Sequence, residues 1–195
     1  VNFRGSEGFG TSHETAGYRQ WGRLMQDDVM DGFNFVASNP RVDVNNACVV
    51  GASYGGYVAL VAAFRDTEKF KCFVSISGIS DLVTMIRQDV SGFEPRRIAT
   101  TARIGDYEKD QEMLNSVSAI NHIDKMKKPL LLVHGLKDTQ VNYHQSTDLF
   151  EKMEAKDLPV QYVELKDGTH YFDEAEDRKL LFTELEAFLK KHLSK

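Results

Sequence analysis

Four short segments of the chain are apolar enough, and bounded sharply enough, to read as strands. Residues 47–50 (Ala-Cys-Val-Val) run into Gly51, and 72–77 (Cys-Phe-Val-Ser-Ile-Ser) are closed by Gly78. Residues 129–135 (Pro-Leu-Leu-Leu-Val-His-Gly) form a run bounded by Pro and Gly, and 160–165 (Val-Gln-Tyr-Val-Glu-Leu) follow. Between and beyond them the periodicity becomes helical. Met25, Val29, Phe33 and Val36 recur at spacings of four, four and three, predicting an amphipathic helix over 22–38 that Asn39-Pro40 ends. An Ala-rich helix follows Gly55, a short one starts after Ser80-Asp81, and others are expected over 106–115, 143–156 and 174–192. The last carries Leu181, Leu185, Phe188 and Leu189 on one face. Residues 1–3 read as the end of a strand, and 89–104, with Gly92, Pro95, Arg96 and Arg97, as an irregular cover. Strands alternating with helices predict an α/β fold: a mostly parallel sheet with helices on both faces, whose functional loops gather at the carboxyl ends of the strands.

Composition narrows the classes. The 195 residues fit a single domain spanning 1–195, and 42% hydrophobic with 27% charged residues is ordinary for a globular chain. Twenty-four basic against 29 acidic residues give −5, which argues against nucleic acid or an anionic membrane as partner. No apolar run approaches the roughly 18 residues of a membrane span. Cys48 and Cys72 read as reduced packing residues of two strands, without a partner at metal-ligand spacing. Arg4-Gly-Ser-Glu-Gly-Phe-Gly10 is Gly-rich but matches no nucleotide-binding pattern, and Asp27, Asp28 and Asp31 read as the acidic face of a helix rather than a metal cluster. The chain opens on Val-Asn-Phe, without Met, which suggests a piece of something longer.

The chemistry-bearing stretch is Gly51-Ala-Ser-Tyr-Gly55 between a strand and a helix. Strand, tight turn and helix with a serine at the apex is the nucleophile elbow G-x-S-x-G of α/β-hydrolases. Gly51 and Gly55 are expected to leave room where a Cβ would clash, and helix-start N–H groups face the same space. A serine hydroxyl needs a base, and the base needs an orienting group. In this fold the order along the chain is Ser, acid, His. Asp138 stands just past the strand at 129–134, and His170 just past 160–165, so both fall where that order requires. Asp167 and Asp173 compete for the acid's role. His134 lies inside a strand and reads as a core histidine, while His13, His122, His144 and His192 fall in early loops or on helices. Gly168 is expected to permit the sharp loop that carries the imidazole over Ser53.

Asn2-Phe-Arg-Gly-Ser-Glu-Gly-Phe-Gly10, Gln20-Trp-Gly22, Gln26-Asp-Asp28, Gly51-Ala-Ser-Tyr-Gly-Gly-Tyr57, Ser75-Ile-Ser-Gly78 with Asp81-Leu82, and Pro129 to Gly135 with Asp138 and Val141 run the length of the chain. Together they resemble the catalytic domain of the prolyl oligopeptidase family, nearest to its dipeptidyl-peptidase and acylaminoacyl-peptidase types. The resemblance implies an α/β-hydrolase fold lacking its N-terminal strands, and a serine peptidase acting on peptide or acyl-ester substrates without metal or organic cofactor. It implies Ser53 as nucleophile, Asp138 as acid and His170 as base. The Tyr54 N–H would be an oxyanion donor, and Tyr57 and Val141 would lie near the pocket for the residue before the scissile bond. Thr139 and Asn142 depart from the family's usual acidic or small polar residue and Pro. The family's His-Gly-Gly region, source of a second oxyanion contact, and its β-propeller are not in these 195 residues. Two expectations follow: association of the uncovered strand edge with another copy or with an N-terminal segment, and weak catalysis by this piece alone, since an oxyanion donor is worth about 10²–10³ in rate. The rival readings are a small-molecule carboxylesterase with the same triad, and a non-catalytic interaction module.

Overall fold

In the computed structural model, which describes residues 1–89 and 94–193, four parallel strands pair in chain order: β1 (Cys48–Ala52), β2 (Cys72–Ile76), β3 (Leu130–Gly135) and β4 (Val160–Leu165). Eight α-helices are described: α1 (Thr11–Thr15), α2 (Leu24–Ala37), α3 (Tyr54–Arg65), α4 (Leu82–Asp89), α5 (Glu94–Arg103), α6 (Gln111–Ser116), α7 (His144–Glu154) and α8 (Ala175–Leu193). They gather into two compact units, one of Val1–Asp43 with Leu82–Ser118, the other of Val44–Asp81 with Ala119–Lys195. No helix among the described residues is long and apolar enough to cross a membrane.

The second unit holds the whole sheet. β2 and β3 are buried along their full length, which is why their sequences read as near-continuous apolar runs. One face of the sheet (Cys72, Val74, Ile76, Leu131, Val133, Leu165) packs on Leu181 and Phe188 of α8, with Leu185 and Leu189 beside them. The opposite face carries α3 and α7. Gly56 of α3 lies against Ser75, and Ser146 of α7 meets His134. α3 is buried on nearly every side, as its apolar, Ala-rich composition requires.

Pairing also overturns the reading of the cysteines. Cys48 and Cys72 sit directly opposite each other in the β1–β2 register, with Cα atoms 4.7 Å apart, and they form a disulfide. That separation lies inside the range a disulfide spans. The sequence places each cysteine on a strand but does not reveal the register that makes them partners.

The first unit is helical and differs from expectation in four places. Residues 1–3 form no strand; the Phe3 carbonyl instead accepts from the Ser6 N–H and hydroxyl and contacts a His13 ring nitrogen. The Gly-rich loop beyond is fixed by Arg4, whose guanidinium and N–H reach the Asp28 carboxylate of α2 at 2.6–2.9 Å. That ion pair holds the Asp28 carboxyl below its usual range, led by the Arg4 hydrogen bond. Within α2 the buried residues are Met25, Gln26 and Met30, while Val36 of the expected apolar stripe is exposed. Of the expected irregular cover, Glu94–Arg103 is the helix α5; Pro95 does not break it, because a first-turn residue owes no intrahelical N–H bond. Residues 90–93 of that segment lie outside the described residues. Finally, α6 begins at Gln111 rather than 106, because Asp106 Oδ1 accepts the N–H groups of Glu108 and Lys109 and closes a turn first.

Candidate active site

The sheet register explains how residues more than a hundred positions apart meet. Ala52, Ile76, Val133 and Val163 form one row across the four strands. Ser53 lies one residue beyond that row, Asp138 five and His170 seven. At about 4.8 Å per strand, β4 runs roughly 14 Å from β1, so the loop after β4 must fold back along the rim to reach Ser53.

Ser53 occupies the apex between β1 and α3 with φ 55° and ψ −119°, a conformation that L residues rarely adopt. Its own N–H donates to the Ile76 carbonyl at 2.8 Å, and its carbonyl accepts the Tyr57 N–H, so backbone bonds on both sides hold the strained turn. Gly51 is required because a Cβ there would strike the Gly55 carbonyl. The expectation for Gly55 itself is corrected, since a Cβ on Gly55 meets nothing within 4 Å.

The loops after β3 and β4 are locked together. A Cβ on Gly135 would run into the backbone of Gly168, and one on Gly168 would come within 2.8 Å of Leu165 Cβ. Leu136 and Lys137 donate N–H bonds across to the Leu165 and Gly168 carbonyls, each at 3.0 Å. Gly168 thus serves by allowing close approach. It is not among the positive-φ glycines, so a sharp left-handed turn is not its contribution.

His170 Nδ1 lies 2.7 Å from Asp138 Oδ2, and His170 Nε2 lies 3.0 Å from Ser53 Oγ. A carboxylate can only accept, so Nδ1 carries the proton and Nε2 presents its lone pair to the hydroxyl. Asp138 Oδ1 accepts the N–H groups of Gln140 and Val141, both at 2.9 Å. Burial raises the Asp138 pKa, but His134, the Val141 N–H, His170 and the Gln140 N–H together outweigh it and hold the carboxyl well below its usual range. The competing carboxylates are engaged elsewhere: Asp167 pairs with Lys137, and Asp173 accepts the Thr169 hydroxyl at 2.6 Å. Such an arrangement supplies what general-base activation of a serine needs.

Comparison with known proteins bears on what that arrangement serves. The sequence model of the prolyl oligopeptidase family matches residues 1–195. The chain belongs to the prolyl oligopeptidase family. It is 32% identical over 97% of its length to dipeptidyl aminopeptidase BIII of Pseudoxanthomonas mexicana, and 31% identical over 99% to dipeptidyl peptidase family member 6 of Caenorhabditis elegans. It spans 28% and 26% of those two proteins. An acylaminoacyl peptidase solved in complex with Z-Gly-Gly-Phe-chloromethyl ketone superposes over 100% of the chain, and 32% of that protein, with a TM-score of 0.90 at 25% identity. The fold is accordingly that of the α/β-hydrolase peptidases.

The other residues singled out on this prolyl oligopeptidase-family chain fall close by. Tyr54 opens α3 directly after Ser53. Tyr57, one helical turn on, is fully buried, with its ring 5.7 Å from that of Tyr54, and burial pushes its phenol pKa well up. Val141 is buried and spends its N–H on Asp138. Asn142, where the family often has Pro, accepts the His144 N–H at the start of α7 at 3.0 Å, a bond Pro could not offer. Sequence reasoning did not find the support given by His134, Gln140 and Ser146. The available signal was polar: Gln145 and Ser146 sit buried on a helix face that otherwise carries Leu149 and Met153.

Proposed function

We propose that this chain carries the catalytic centre of a serine peptidase that cleaves short peptides by acyl transfer to water. Ser53 is the nucleophile, His170 the base and Asp138 its orienting acid. The observation that supports this best is the unbroken run of contacts from Ser53 Oγ through His170 to Asp138, at 3.0 and 2.7 Å. As Ser53 Oγ attacks the carbonyl carbon, its proton passes to His170 Nε2, and the imidazolium that forms is stabilised by the ionised Asp138. The carbonyl oxygen becomes an oxyanion beside the N–H of Tyr54 at the helix start, where the dipole favours negative charge. Collapse of the intermediate breaks the C–N bond, and the departing amine takes the proton from His170 Nε2. Water then adds to the acyl-Ser53 ester by the same proton path and releases the acid. Tyr57 and Val141, buried beneath the rim, bound the space for the residue before the scissile bond.

β1 has β2 as its one neighbour in the described sheet, so its outer edge is open to a further strand. That edge pairs with a strand from a second copy or from elsewhere in the polypeptide, and a strictly monomeric species of the 195-residue chain in light scattering would count against the second copy. The peptidase reading is tested by comparing turnover of an aminoacyl anilide with that of a short-chain nitrophenyl ester, each with the Ser53→Ala variant as control. Anilide cleavage lost in that variant supports the reading. Ester cleavage alone points to a carboxylesterase, and neither activity to an interaction module.

A further inference from the structure

His134 is buried completely, yet both of its ring nitrogens are committed. Nε2 lies 3.0 Å from the Val141 carbonyl and 3.5 Å from Asp138 Oδ2, and Nδ1 lies 2.7 Å from the Ser146 hydroxyl. A carbonyl only accepts, so Nε2 carries a proton and turns it toward the acid loop. Ser146 itself stands on an anchored helix turn. Its neighbour Gln145 accepts the Ser80 and Asp81 N–H groups, both at 2.8 Å, through Oε1, and donates through Nε2 to the Asp81 carbonyl at 3.1 Å. The Val141 residue whose carbonyl His134 holds is the one whose N–H holds Asp138 Oδ1.

Resting on the reading under Proposed function, we infer that His134 is a positioning residue: fixed by Ser146, its Nε2–H holds the acid loop in the register that points Asp138 Oδ2 at His170. An ordinary core histidine would need only satisfied nitrogens. This one aims its donor proton at the carbonyl of Val141, the residue whose N–H holds Asp138 Oδ1, with Asp138 Oδ2 itself 3.5 Å away.

The test uses the 195-residue chain with two readouts: the rate constant for phosphonylation by a fluorophosphonate probe, and the downfield proton resonance of His170 Nδ1–H. In His134→Leu the phosphonylation rate is expected to fall about 10²-fold, the scale of a misplacement near 1 Å, and the resonance to broaden or vanish. His134→Gln, which keeps a donor near the Nε2 position, is expected to recover most of the rate and the resonance. A His134→Leu chain that folds and reacts within about threefold of the parent overturns the inference. Should His134→Leu fail to fold, Ser146→Ala decides: about a tenfold loss of rate at unchanged melting temperature supports the inference, and an unchanged rate overturns it. A parent chain that never reacts with the probe overturns the catalytic reading instead. The resonance then still judges the positioning, and its survival in His134→Leu counts against it.

Discussion

The loop after β3 and the loop after β4 meet at one rim, yet they hold their key side chains in different ways. Asp138 is wholly buried, with both carboxylate oxygens taken up by N–H donors of the protein. The His170 side chain keeps 11% of its surface exposed, and the next residue, Tyr171, is 72% exposed, tethered through its hydroxyl to Gln140 at 2.7 Å. A buried charge is tolerable only where fixed donors surround it, so the acid must be built in. In the proposed mechanism His170 takes a proton from one oxygen and delivers it to a leaving amine, so it must stay within reach of both. Hydrogen-bond donors are therefore concentrated on Asp138, while the His170 ring is placed by Asp138 and Ser53.

That contrast can be challenged by substitution. The largest effect is expected from Asp138→Asn, which leaves the shape but offers His170 an amide in place of the carboxylate. The phosphonylation rate should drop about 10³–10⁴-fold. Next comes Gly135→Ala, whose Cβ would force the β4 loop away through Gly168 and carry His170 with it; about a 10²-fold loss in the same assay is expected. Gly55→Ala, in open space, should change the rate by less than about threefold. If Gly135→Ala is as harmless as Gly55→Ala, the two loops are not coupled as described.

Acid titration gives a subtler test. The folded-state pKa of Asp138 lies below its unfolded value, so the native state binds that proton less readily. Its contribution to stability is full above the unfolded value of about 3.9 and is lost as pH falls toward the folded one. Denaturant melts from pH 6 downward should therefore show a stability decline in the parent that is shallower in Asp138→Asn. The smallest effect is expected at Lys137→Ala. The Lys137–Asp167 pair joins the same two loops, but both side chains are more than half exposed. Its loss should leave the denaturation midpoint unmoved.

Much of this was legible in the chain itself. The strand expected over 160–165 is found there, and Ser53, Asp138 and His170, singled out because each follows a strand end in a fixed order, are joined by the contacts at 3.0 and 2.7 Å. What stayed hidden depends on register or on side-chain partners. The Cys48–Cys72 bond needs the pairing of β1 with β2, and the use of Gly135 and Gly168 needs two loops in contact. α5 was obscured because Pro95 and its neighbours suggest an irregular cover when the first-turn position of the proline is unknown. His134 looked bland because burial alone does not reveal what a ring nitrogen touches.

The most direct measurement is to react the chain with a fluorophosphonate and locate the adduct by peptide mass spectrometry, in the parent and in His170→Ala. A single adduct is expected on Ser53, and it should disappear, or form at least about 10³-fold more slowly, when the imidazole is removed. An adduct on another residue, or Ser53 labelled equally fast without His170, would contradict it.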